Sequence, residues 1–476
     1  MGDSPVSFKS EYLHWVTIHT LVIAIGLGTY VVTSHLLHQR RNPSAAISWV
    51  ISIFLLPYLA IPLFILLGAR KVHRHPFGLT KHLHPVALPN SEGSTGAFQT
   101  LAAALGAPTA SGYISLNIHD DGHEALASLM SVIQGAQLSL DVCTFVLGAD
   151  VLGEKVLDAL KAKSLQGVKV RLLIDGVGIY LGGKADLKSL RLAGAQVELF
   201  ASPWRFALPG RTNLRNHRKM AIADSKRLWT GGRNLATEYF LGDETSSPPM
   251  SAWTDLTFEI SGDLVMQAQI QFNQDWNFAI QAPGSRPIQT DDNQSQDGNL
   301  RAQFIPSGPD QLEDTVYSLL ISSCFSAQRR IMAVSPYFVP DPTLLMALTL
   351  AARRGVEIDL VLPKRSNHRL ADIARRTALR ELAMAGARVR LFPSMIHAKV
   401  IVIDDQLALA GTANLDERSL FLNYELMIAF FDPGVVKQFT KWINSKIALT
   451  TMYKLERPGF LKELAEGVIR AVAFQL

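Results

Sequence analysis

Two short segments of this 476-residue chain carry the same three polar residues at the same spacing. In NLRNHRKMAIAD (213–224) a histidine is followed by a lysine two positions later and by an aspartate five positions after that, and SMIHAKVIVIDD (394–405) repeats this order. The six residues are His217, Lys219, Asp224, His397, Lys399 and Asp404. Imidazoles can act as nucleophile and general acid near neutral pH, and ammonium groups stabilise anionic oxygens. The segments therefore indicate catalysis at an anionic group such as a phosphodiester.

An asparagine follows each histidine at a fixed distance. GGRN (231–234) and GTAN (411–414) both begin 14 residues after their histidine and supply the amides of Asn234 and Asn414. Two lysines and two amides in one cleft would hold the non-bridging oxygens of a phosphate, where charge builds up in the transition state. One imidazole would attack phosphorus and the other would protonate the leaving alkoxide. This chemistry requires no metal ion or other cofactor, and we expect none.

Two roles fit the aspartates Asp224 and Asp404. A carboxylate can orient an imidazole through its second nitrogen, and it can also serve a structural function at the end of a strand. A single triplet has only three fixed positions and arises by chance, whereas two copies in register are not explained in that way. We therefore count both aspartates with the catalytic residues and leave their structural role open.

Each triplet lies in an alternating apolar run that is typical of a β-strand. Residues two positions apart in a strand point to the same face. His217 and Lys219 should therefore project side by side into one site, and the same holds for His397 and Lys399.

The elements around the triplets also occur twice, in an α/β order. GVKVRLLID matches GVEIDLVLP, and LAGAQVELF matches MAGARVRLF. Helical patterns precede or separate these strand patterns in both copies. We predict two pseudo-symmetric lobes, 111–285 and 301–476, with mixed β-sheets flanked by helices and a linker at 286–300. The segment ASPWRFALPGRT (201–212) is an insertion in the first copy, and we expect a loop there.

The N-terminal 70 residues are far more apolar than the rest. No charged residue occurs in 15–32 or 45–67, and either segment is long enough as a helix to cross a hydrocarbon core of about 30 Å. We predict a membrane hairpin in 1–70, with transmembrane helices at about 13–34 and 45–67, and a linker at 71–110.

Charges around these apolar segments indicate an orientation. The connecting loop has two basic residues, and four follow the second segment: Arg70, Lys71, Arg74 and Lys81. This excess predicts that the large C-terminal part lies on the cytoplasmic side. Pro57 and Pro62 interrupt the second segment and favour a kink in it.

The whole chain is mildly basic, with 46 Lys and Arg against 41 Asp and Glu. This balance leaves nucleic acid and an anionic membrane open as partners. The most basic helical pattern, 365–381, contains no aromatic residue, so we interpret it as a core-packing helix and expect no nucleic acid. Its predicted buried face comprises Leu370, Ile373, Ala374 and Thr377. Cys143 and Cys324 lie in apolar contexts and are predicted to be buried thiols.

The motifs resemble the phospholipase D superfamily and, within it, the bacterial cardiolipin synthases. The paired triplets carry the similarity to the superfamily, and RRNPSAAISWV and LDERSLFLNYEL carry the similarity to the subfamily. LDVCTFVLGAD, VRLLIDGVG and SPYFVPDPTLL extend it over nearly the whole chain. The resemblance implies transfer of a phosphatidyl group from one phosphatidylglycerol to a second, with release of glycerol. It also implies a multi-pass protein of the bacterial inner membrane with anionic lipids as partners.

The resemblance assigns roles to single residues. His217 would be the nucleophile that forms a phosphohistidine, and His397 the general acid and base. The phosphate would be held by Lys219, Lys399, Asn234 and Asn414. Glu425 in NYELMIAF matches the family's ring-orienting carboxylate, and Asp255 in WTDLTFEI has the comparable place in the first lobe.

We group Asp255, Glu425 and Thr412 with the substrate-binding residues. The family's Gly-Ser-x-Asn pattern has a hydroxyl at its second position, which Thr412 retains and Gly232 lacks.

Several alternatives remain open from the sequence. The acceptor could be phosphatidylethanolamine, another alcohol or water, and water would make the protein a membrane phospholipase D. A nucleic-acid phosphodiesterase would use the same triplets, and a non-catalytic membrane scaffold would retain the fold. No pattern indicates an oligomeric state.

Overall fold

The computed structural model describes residues 5–36, 43–68, 94–201, 213–242, 251–280, 300–311, 313–456, 458–459, 466, 467 and 469. The basic residues from which the orientation was inferred lie outside these ranges. So do the predicted loop and the predicted linker between the lobes, apart from residues 201 and 300.

Aspartates begin several of the helices. Asp121, Asp150, Asp341 and Asp432 accept hydrogen bonds from N–H groups in the first turns of α5, α6, α11 and α14, which otherwise have no partner within the helix. The α-helices are α1 Pro5–Leu36, α2 Pro43–Leu55, α3 Pro57–Leu67, α4 Ser94–Ala104, α5 Gly122–Gly135, α6 Val151–Leu165, α7 Gly178–Leu181, α8 Lys188–Leu192, α9 Leu264–Ala279, α10 Thr315–Ser326, α11 Pro342–Arg353, α12 Arg369–Met384, α13 Glu417–Phe421 and α14 Pro433–Ile447.

The strands are short and mostly buried. They are β1 Ser111–Tyr113, β2 Ser115–His119, β3 Ser139–Thr144, β4 Lys169–Asp175, β5 Gln196–Phe200, β6 Met220–Ala223, β7 Arg227–Gly231, β8 Thr257–Ser261, β9 Leu300–Ser307, β10 Arg330–Val334, β11 Phe338–Val339, β12 Glu357–Pro363, β13 Arg388–Phe392, β14 Val400–Ile403, β15 Leu407–Gly411, β16 Leu415–Asp416, β17 Glu425–Phe430 and β18 Thr451–Met452.

Two large sheets repeat one strand order. The first is β2-β8-β7-β6-β3-β4-β5, and the second is β9-β17-β15-β14-β10-β12-β13 with β1 and β18 added at its two edges. In each sheet the last three shared strands are parallel and the other pairs are antiparallel. The predicted α/β fold of two pseudo-symmetric lobes with mixed sheets is confirmed.

The largest apolar cluster joins the two lobes. It combines side chains of both sheets with those of α9 and α14, including Phe272, Trp276 and Phe439. Separate clusters lie under α5 and α6 in the first lobe and under α10, α11 and α12 in the second. The shared cluster fixes the lobes against each other, which positions any site between them.

The described residues of the N-terminal segment form three helices, where two were predicted. In the described residues one segment, His14–Ser34 within α1, is long and apolar enough to cross a membrane. The second predicted span is divided at Leu56, whose φ of −135° and ψ of 56° end α2 before Pro57 starts α3. The residue before a proline avoids the helical conformation, which explains the break. Many apolar side chains of α1, α2 and α3 are exposed, among them Trp15, Ile18, Phe54 and Leu59.

Helix α4 and strand β1 precede the first sheet in the chain but pack on the second lobe. Helix α4, in the predicted linker, packs Phe98 and Ala102 into the core of the second lobe. Strand β1, at the predicted start of the first lobe, pairs antiparallel with β9, and the chain crosses to β2 in the first sheet at Ile114. The first lobe was predicted to start at residue 111, but residues 111–113 belong to the second sheet. There β1 covers an edge whose backbone groups would otherwise be unpaired.

The basic helix α12 packs on the core, but through a different face from the predicted one. Its buried residues are Ala371, Ala374, Arg375, Ala378, Leu379 and Leu382. Leu370 is exposed, and only Ala374 of the predicted face is buried. The prediction was wrong because small alanines, which carry little hydropathy signal, form the contact surface. Cys143 and Cys324 are buried free thiols, as predicted.

Candidate active site

The two histidines lie where each lobe meets the other. Each His-x-Lys segment precedes its strand, β6 or β14, instead of lying within the strand as predicted. The His217 N–H donates to the carbonyl of Tyr424 in the second lobe (2.9 Å), and the His397 N–H donates to the carbonyl of Thr254 in the first lobe (2.7 Å). Backbone pairing across the lobes thus brings both histidines to one place.

A cavity of about 630 Å³ lies between the lobes at this place. Seven predicted site residues line it: His217, Lys219, Asn234, His397, Lys399, Thr412 and Asn414. The other four predicted site residues are not part of its lining: Asp224, Asp255, Asp404 and Glu425. The histidines, lysines and asparagines of the two repeats therefore share one cavity.

His217 is held through its Nδ1 atom. This nitrogen is 3.3 Å from Oε1 of Glu425 and 3.2 Å from Nδ2 of Asn423. The ring of Phe145 lies against the imidazole with 4.1 Å between centroids. Burial lowers the pKa of His217, Glu425 opposes this effect, and the positive charge of Lys219 adds to it. The ring is therefore biased toward its neutral form, with Nε2 available to attack a substrate.

His397 has a matching arrangement with different neighbours. Its Nδ1 lies 2.7 Å from Oδ2 of Asp255, and the rings of Tyr239 and Trp253 lie 5.1 and 5.6 Å from it. Burial, followed by the charge of Lys399, lowers the pKa of His397 to about 4, although Asp255 opposes this shift. A bound phosphodiester would offset the charge of Lys399 and thereby favour the protonated ring.

Each histidine is oriented by a carboxylate from the opposite lobe. Glu425 of the second lobe holds His217 of the first, and Asp255 of the first lobe holds His397 of the second. Both carboxylates have no exposed surface. They were grouped with substrate-binding residues, but their position behind the rings suits an orienting role. A histidine–carboxylate pair is thus complete only when both lobes are present.

The two lysines also have equivalent positions. Nζ of Lys219 donates to the carbonyl of His217 (2.7 Å), and Nζ of Lys399 donates to the carbonyl of His397. Burial is the main cause that lowers the pKa of both lysines, to about 7 for Lys399. An anionic ligand in the cavity would stabilise their charged forms, so the site favours a phosphate between the lobes.

Thr412 and Gly232 have equivalent positions but different functions. The Thr412 hydroxyl donates to Oε2 of Glu425 (2.5 Å), so it supports the carboxylate instead of binding substrate directly. At Gly232 an added Cβ would lie 2.1 Å from Oδ1 of Asp255. The missing side chain leaves room for the shorter carboxylate to reach His397. The departure from Gly-Ser-x-Asn is therefore explained by packing.

Asp224 and Asp404 have structural positions at the ends of β6 and β14. Asp224 accepts the backbone N–H groups of Gln137, Leu138 and Ser139 at 2.7–2.8 Å. Asp404 accepts those of Gln328, Arg329 and Arg330 at 2.6–2.9 Å. These positions favour the structural role that the sequence left open for both aspartates, because neither lines the cavity and their oxygens accept from backbone donors.

A buried network around Arg218 was not predicted. Its guanidinium donates to the carboxylates of Asp275 and Asp310 and to the carbonyls of Glu425 and Ser307. Asp275 belongs to the first lobe and the other three partners to the second. Arg218 therefore ties the first His-x-Lys segment to the backbone that carries the orienting carboxylate of His217.

Other cavity residues also escaped the sequence analysis. Asn423, which contacts His217, lies two positions before Glu425, and the rule that alternate residues share a face would have found it. No such rule points to the remaining unpredicted polar residues, which include Arg215, Arg418, Glu238, Tyr337, Asn367 and His368. In the described part of the chain, no three His, Cys, Asp or Glu side chains converge so as to hold a metal ion.

Comparison with known proteins shows the family to which the chain belongs. A family model described as "Cardiolipin synthase, PLD-like domain" matches residues 129–276 and 320–447, one match in each lobe. Cardiolipin synthase A of Pseudomonas entomophila is 30% identical over 443 residues, which cover 89% of this chain and 91% of that protein. The major cardiolipin synthase ClsA of Bacillus subtilis is 30% identical over 462 residues, or 91% of this chain and 94% of that protein.

A solved structure shares the fold. Phosphatidylserine synthase of Haemophilus influenzae superposes with a TM-score of 0.60 at 14% identity, and the match covers 80% of this chain and all of that one. This match supports the fold alone. The family model and the two relatives show the family. The chain belongs to the cardiolipin synthase family of proteins with phospholipase D-like domains.

Proposed function

We propose that this chain is a cardiolipin synthase that transfers a phosphatidyl group from one phosphatidylglycerol to another and releases glycerol. The observation that carries the proposal is the placement of two imidazoles from different lobes in one cavity, each held at Nδ1 by a carboxylate. Two such groups supply a nucleophile and a proton donor on opposite sides of one phosphate.

In the first step, Nε2 of His217 attacks the phosphorus of the donor lipid. The bond from phosphorus to the glycerol oxygen breaks, and His397 donates a proton to that oxygen. Lys219, Lys399, Asn234 and Asn414 stabilise the charge on the non-bridging oxygens. The product of this step is glycerol and a phosphatidyl group on His217.

In the second step, His397 takes the proton from a hydroxyl of the second phosphatidylglycerol. The resulting oxygen attacks phosphorus, and the bond from phosphorus to His217 breaks. Cardiolipin forms and both histidines return to their starting states. One phosphodiester replaces another, so the exchange is close to balanced in energy and reversible.

The N-terminal helices support action at a membrane. His14–Ser34 has the length and composition of a membrane-spanning helix, and the exposed apolar side chains of α1, α2 and α3 suit a lipid environment. We propose a multi-pass protein of the bacterial inner membrane, with the lobes on the cytoplasmic side and anionic lipids as substrates.

Mass spectrometry of products from the purified protein with defined lipids tests the proposal. With phosphatidylglycerol alone, we expect cardiolipin and an equal amount of glycerol, and none in the H217A variant. Phosphatidic acid as the main product would replace the synthase with a phospholipase D. Phosphatidylethanolamine as the preferred acceptor would change the acceptor class, and faster cleavage of a labelled oligonucleotide than of lipid would overturn the proposal.

A further inference from the structure

Glu238 lines the cavity with the two histidines but has no part in the transfer steps above. It lies in the 3-10 helix Thr237–Tyr239, shortly after the Gly-x-x-Asn turn of the first lobe. Its backbone carbonyl accepts the N–H of Trp253 (2.9 Å), and the rings of Trp253 and Tyr239 contact His397. Glu238 therefore belongs to the side of the cavity where His397 handles the leaving and incoming alcohols.

Glu238 lines the same cavity as the residues assigned to the phosphate. After burial, the negative charge of Glu238 is the main cause that raises the pKa of Tyr239, and the side chain of Asn234 bonds the Tyr239 hydroxyl. Asn234 is one of the amides assigned to the phosphate. Glu238 thus shares one cavity with an amide assigned to the phosphate and with His397, the ring that exchanges protons with the alcohols.

Partial burial makes an ionised carboxylate in this place less favourable, and hydrogen bonds from a ligand would offset that cost. Burial raises the pKa of Glu238, its own backbone N–H opposes this shift, and the charge of Asp150 adds to it. Asp150 is committed elsewhere, since it caps α6 and accepts the N–H of Thr237 (2.9 Å). Glu238 would also repel an anionic phosphodiester. Hydroxyl donors on the substrate would offset both effects.

A glycerol head group has such donors. During the first step the leaving glycerol carries two further hydroxyls, and during the second step the acceptor carries a free hydroxyl next to the reacting one. We infer that the carboxylate of Glu238 accepts hydrogen bonds from these non-reacting hydroxyls and thereby selects polyol-bearing acceptors over simple alcohols. The inference rests on the proposed transfer reaction but not on cardiolipin being its product.

The neighbouring wall suits a polyol as well. The Tyr337 hydroxyl donates to Oδ1 of Asn367 (2.5 Å), and the Tyr337 ring lies 5.6 Å from that of His368. All three side chains line the same cavity. They add donors and acceptors at the site, whereas other parts of the lining, such as Phe145, Val146 and Leu181, are apolar. The polar wall can thus bind a head group while Glu238 accepts hydrogen bonds from its hydroxyls.

Competition between two acceptors tests the inference. The full-length protein receives phosphatidylglycerol as donor with deuterated glycerol and 1-propanol together, and mass spectrometry measures deuterated phosphatidylglycerol and phosphatidylpropanol. Both products arise from the same phosphatidyl-enzyme, so their ratio reports only how that intermediate selects its acceptor. A charged hydrogen bond contributes about 1.5–3 kcal/mol, so we expect E238Q to lower the glycerol-to-propanol ratio at least about tenfold.

Two controls accompany this variant. E238D keeps the charge and should retain part of the preference for glycerol. If E238Q does not fold, the glycerol-to-propanol ratio of E238D still tests the inference. E154Q removes an exposed carboxylate on α6 and should leave the ratio unchanged.

The outcomes separate the two proposals. An unchanged ratio in E238Q, or a higher one, overturns the role of Glu238 even if the wild type makes cardiolipin. If the wild-type protein makes no cardiolipin, the proposed function is contradicted. If E238Q in the same experiments lowers the glycerol-to-propanol ratio, the role of Glu238 is still supported.

Discussion

His217 and His397 have the same place in their lobes, but different groups hold them. Glu425, Asn423 and the ring of Phe145 lie next to the first ring, whereas Asp255 and the rings of Tyr239 and Trp253 lie next to the second. The repeat therefore supplies two imidazoles whose protonation can be tuned separately, as a nucleophile and a proton carrier require.

The titration of His217 is a prediction at this scale. Burial lowers its pKa below the usual 6.5 and the charge of Glu425 opposes the shift, so E425Q should lower the pKa further. Because diethyl pyrocarbonate modifies only neutral imidazole, the modification rate of His217 followed by peptide mass spectrometry reports this pKa. We expect a midpoint below pH 6.5 that moves to lower pH in E425Q. A midpoint that rises in E425Q would contradict the pairing.

Gly232 provides a second prediction. A side chain there would displace the carboxylate of Asp255 from His397, and misplacement of a catalytic group by about 1 Å can cost about 100-fold in rate. G232T should therefore lower turnover by up to about that factor. The double variant G232T/D255E copies the Thr412–Glu425 arrangement of the other lobe and should recover part of the activity. Full turnover in G232T would show that the close approach is unimportant.

At the scale of elements, the repeat was predictable because local patterns encode it. Alternating strands, helical periodicity and matching segments such as LAGAQVELF and MAGARVRLF lie within each lobe. The exchange of carboxylates between lobes was not predictable, since aligning Asp255 with Glu425 says nothing about which ring each one faces. Arg218 was missed for the same reason, because its partner Asp310 is 92 residues away.

The strand ends lead to a prediction about Asp224. Burial raises the pKa of its carboxyl, but three backbone N–H groups outweigh this and hold the pKa below its usual range. D224N should lower the free energy of unfolding by about 1–3 kcal/mol, because an amide replaces these bonds only in part. The loss relative to wild type should shrink as pH falls from 3.8 through the lower pKa of the folded state, because the unfolded chain takes up the proton first.

Thermal unfolding in detergent measures this effect, with D158N on the exposed face of α6 as the control. Activity per folded molecule should change little. Loss of turnover at an unchanged melting temperature would restore the catalytic assignment of Asp224.

For the whole molecule, the decisive feature is the joint between the lobes. The shared apolar cluster, the backbone bonds of both histidines and the Arg218 network all cross it. Neither lobe alone contains a complete histidine–carboxylate pair. The proposed transfer reaction therefore depends on the interface between the lobes as much as on the paired triplets.

Arg218 is the residue with which to test this joint. R218Q would leave the buried Asp275 and the partly buried Asp310 without their cation, and loss of one partner of a buried ion pair costs about 3–5 kcal/mol in comparable cases. R388Q, on the more exposed pair with Glu357 and Asp359, should cost less than about 1 kcal/mol. Denaturant unfolding compares the two variants. A smaller effect for R218Q than for R388Q would show that the network does not hold the lobes together.

Covalent trapping tests the central claim that His217 receives the phosphatidyl group and His397 moves the proton. Phosphatidyl-p-nitrophenol is a suitable donor because its leaving group needs no general acid. The H397N variant should release about one equivalent of nitrophenolate in a burst, and peptide mass spectrometry should locate the phosphatidyl group on His217. H217N should give neither burst nor adduct. An adduct on His397 in H217N, with none on His217 in H397N, would contradict the account.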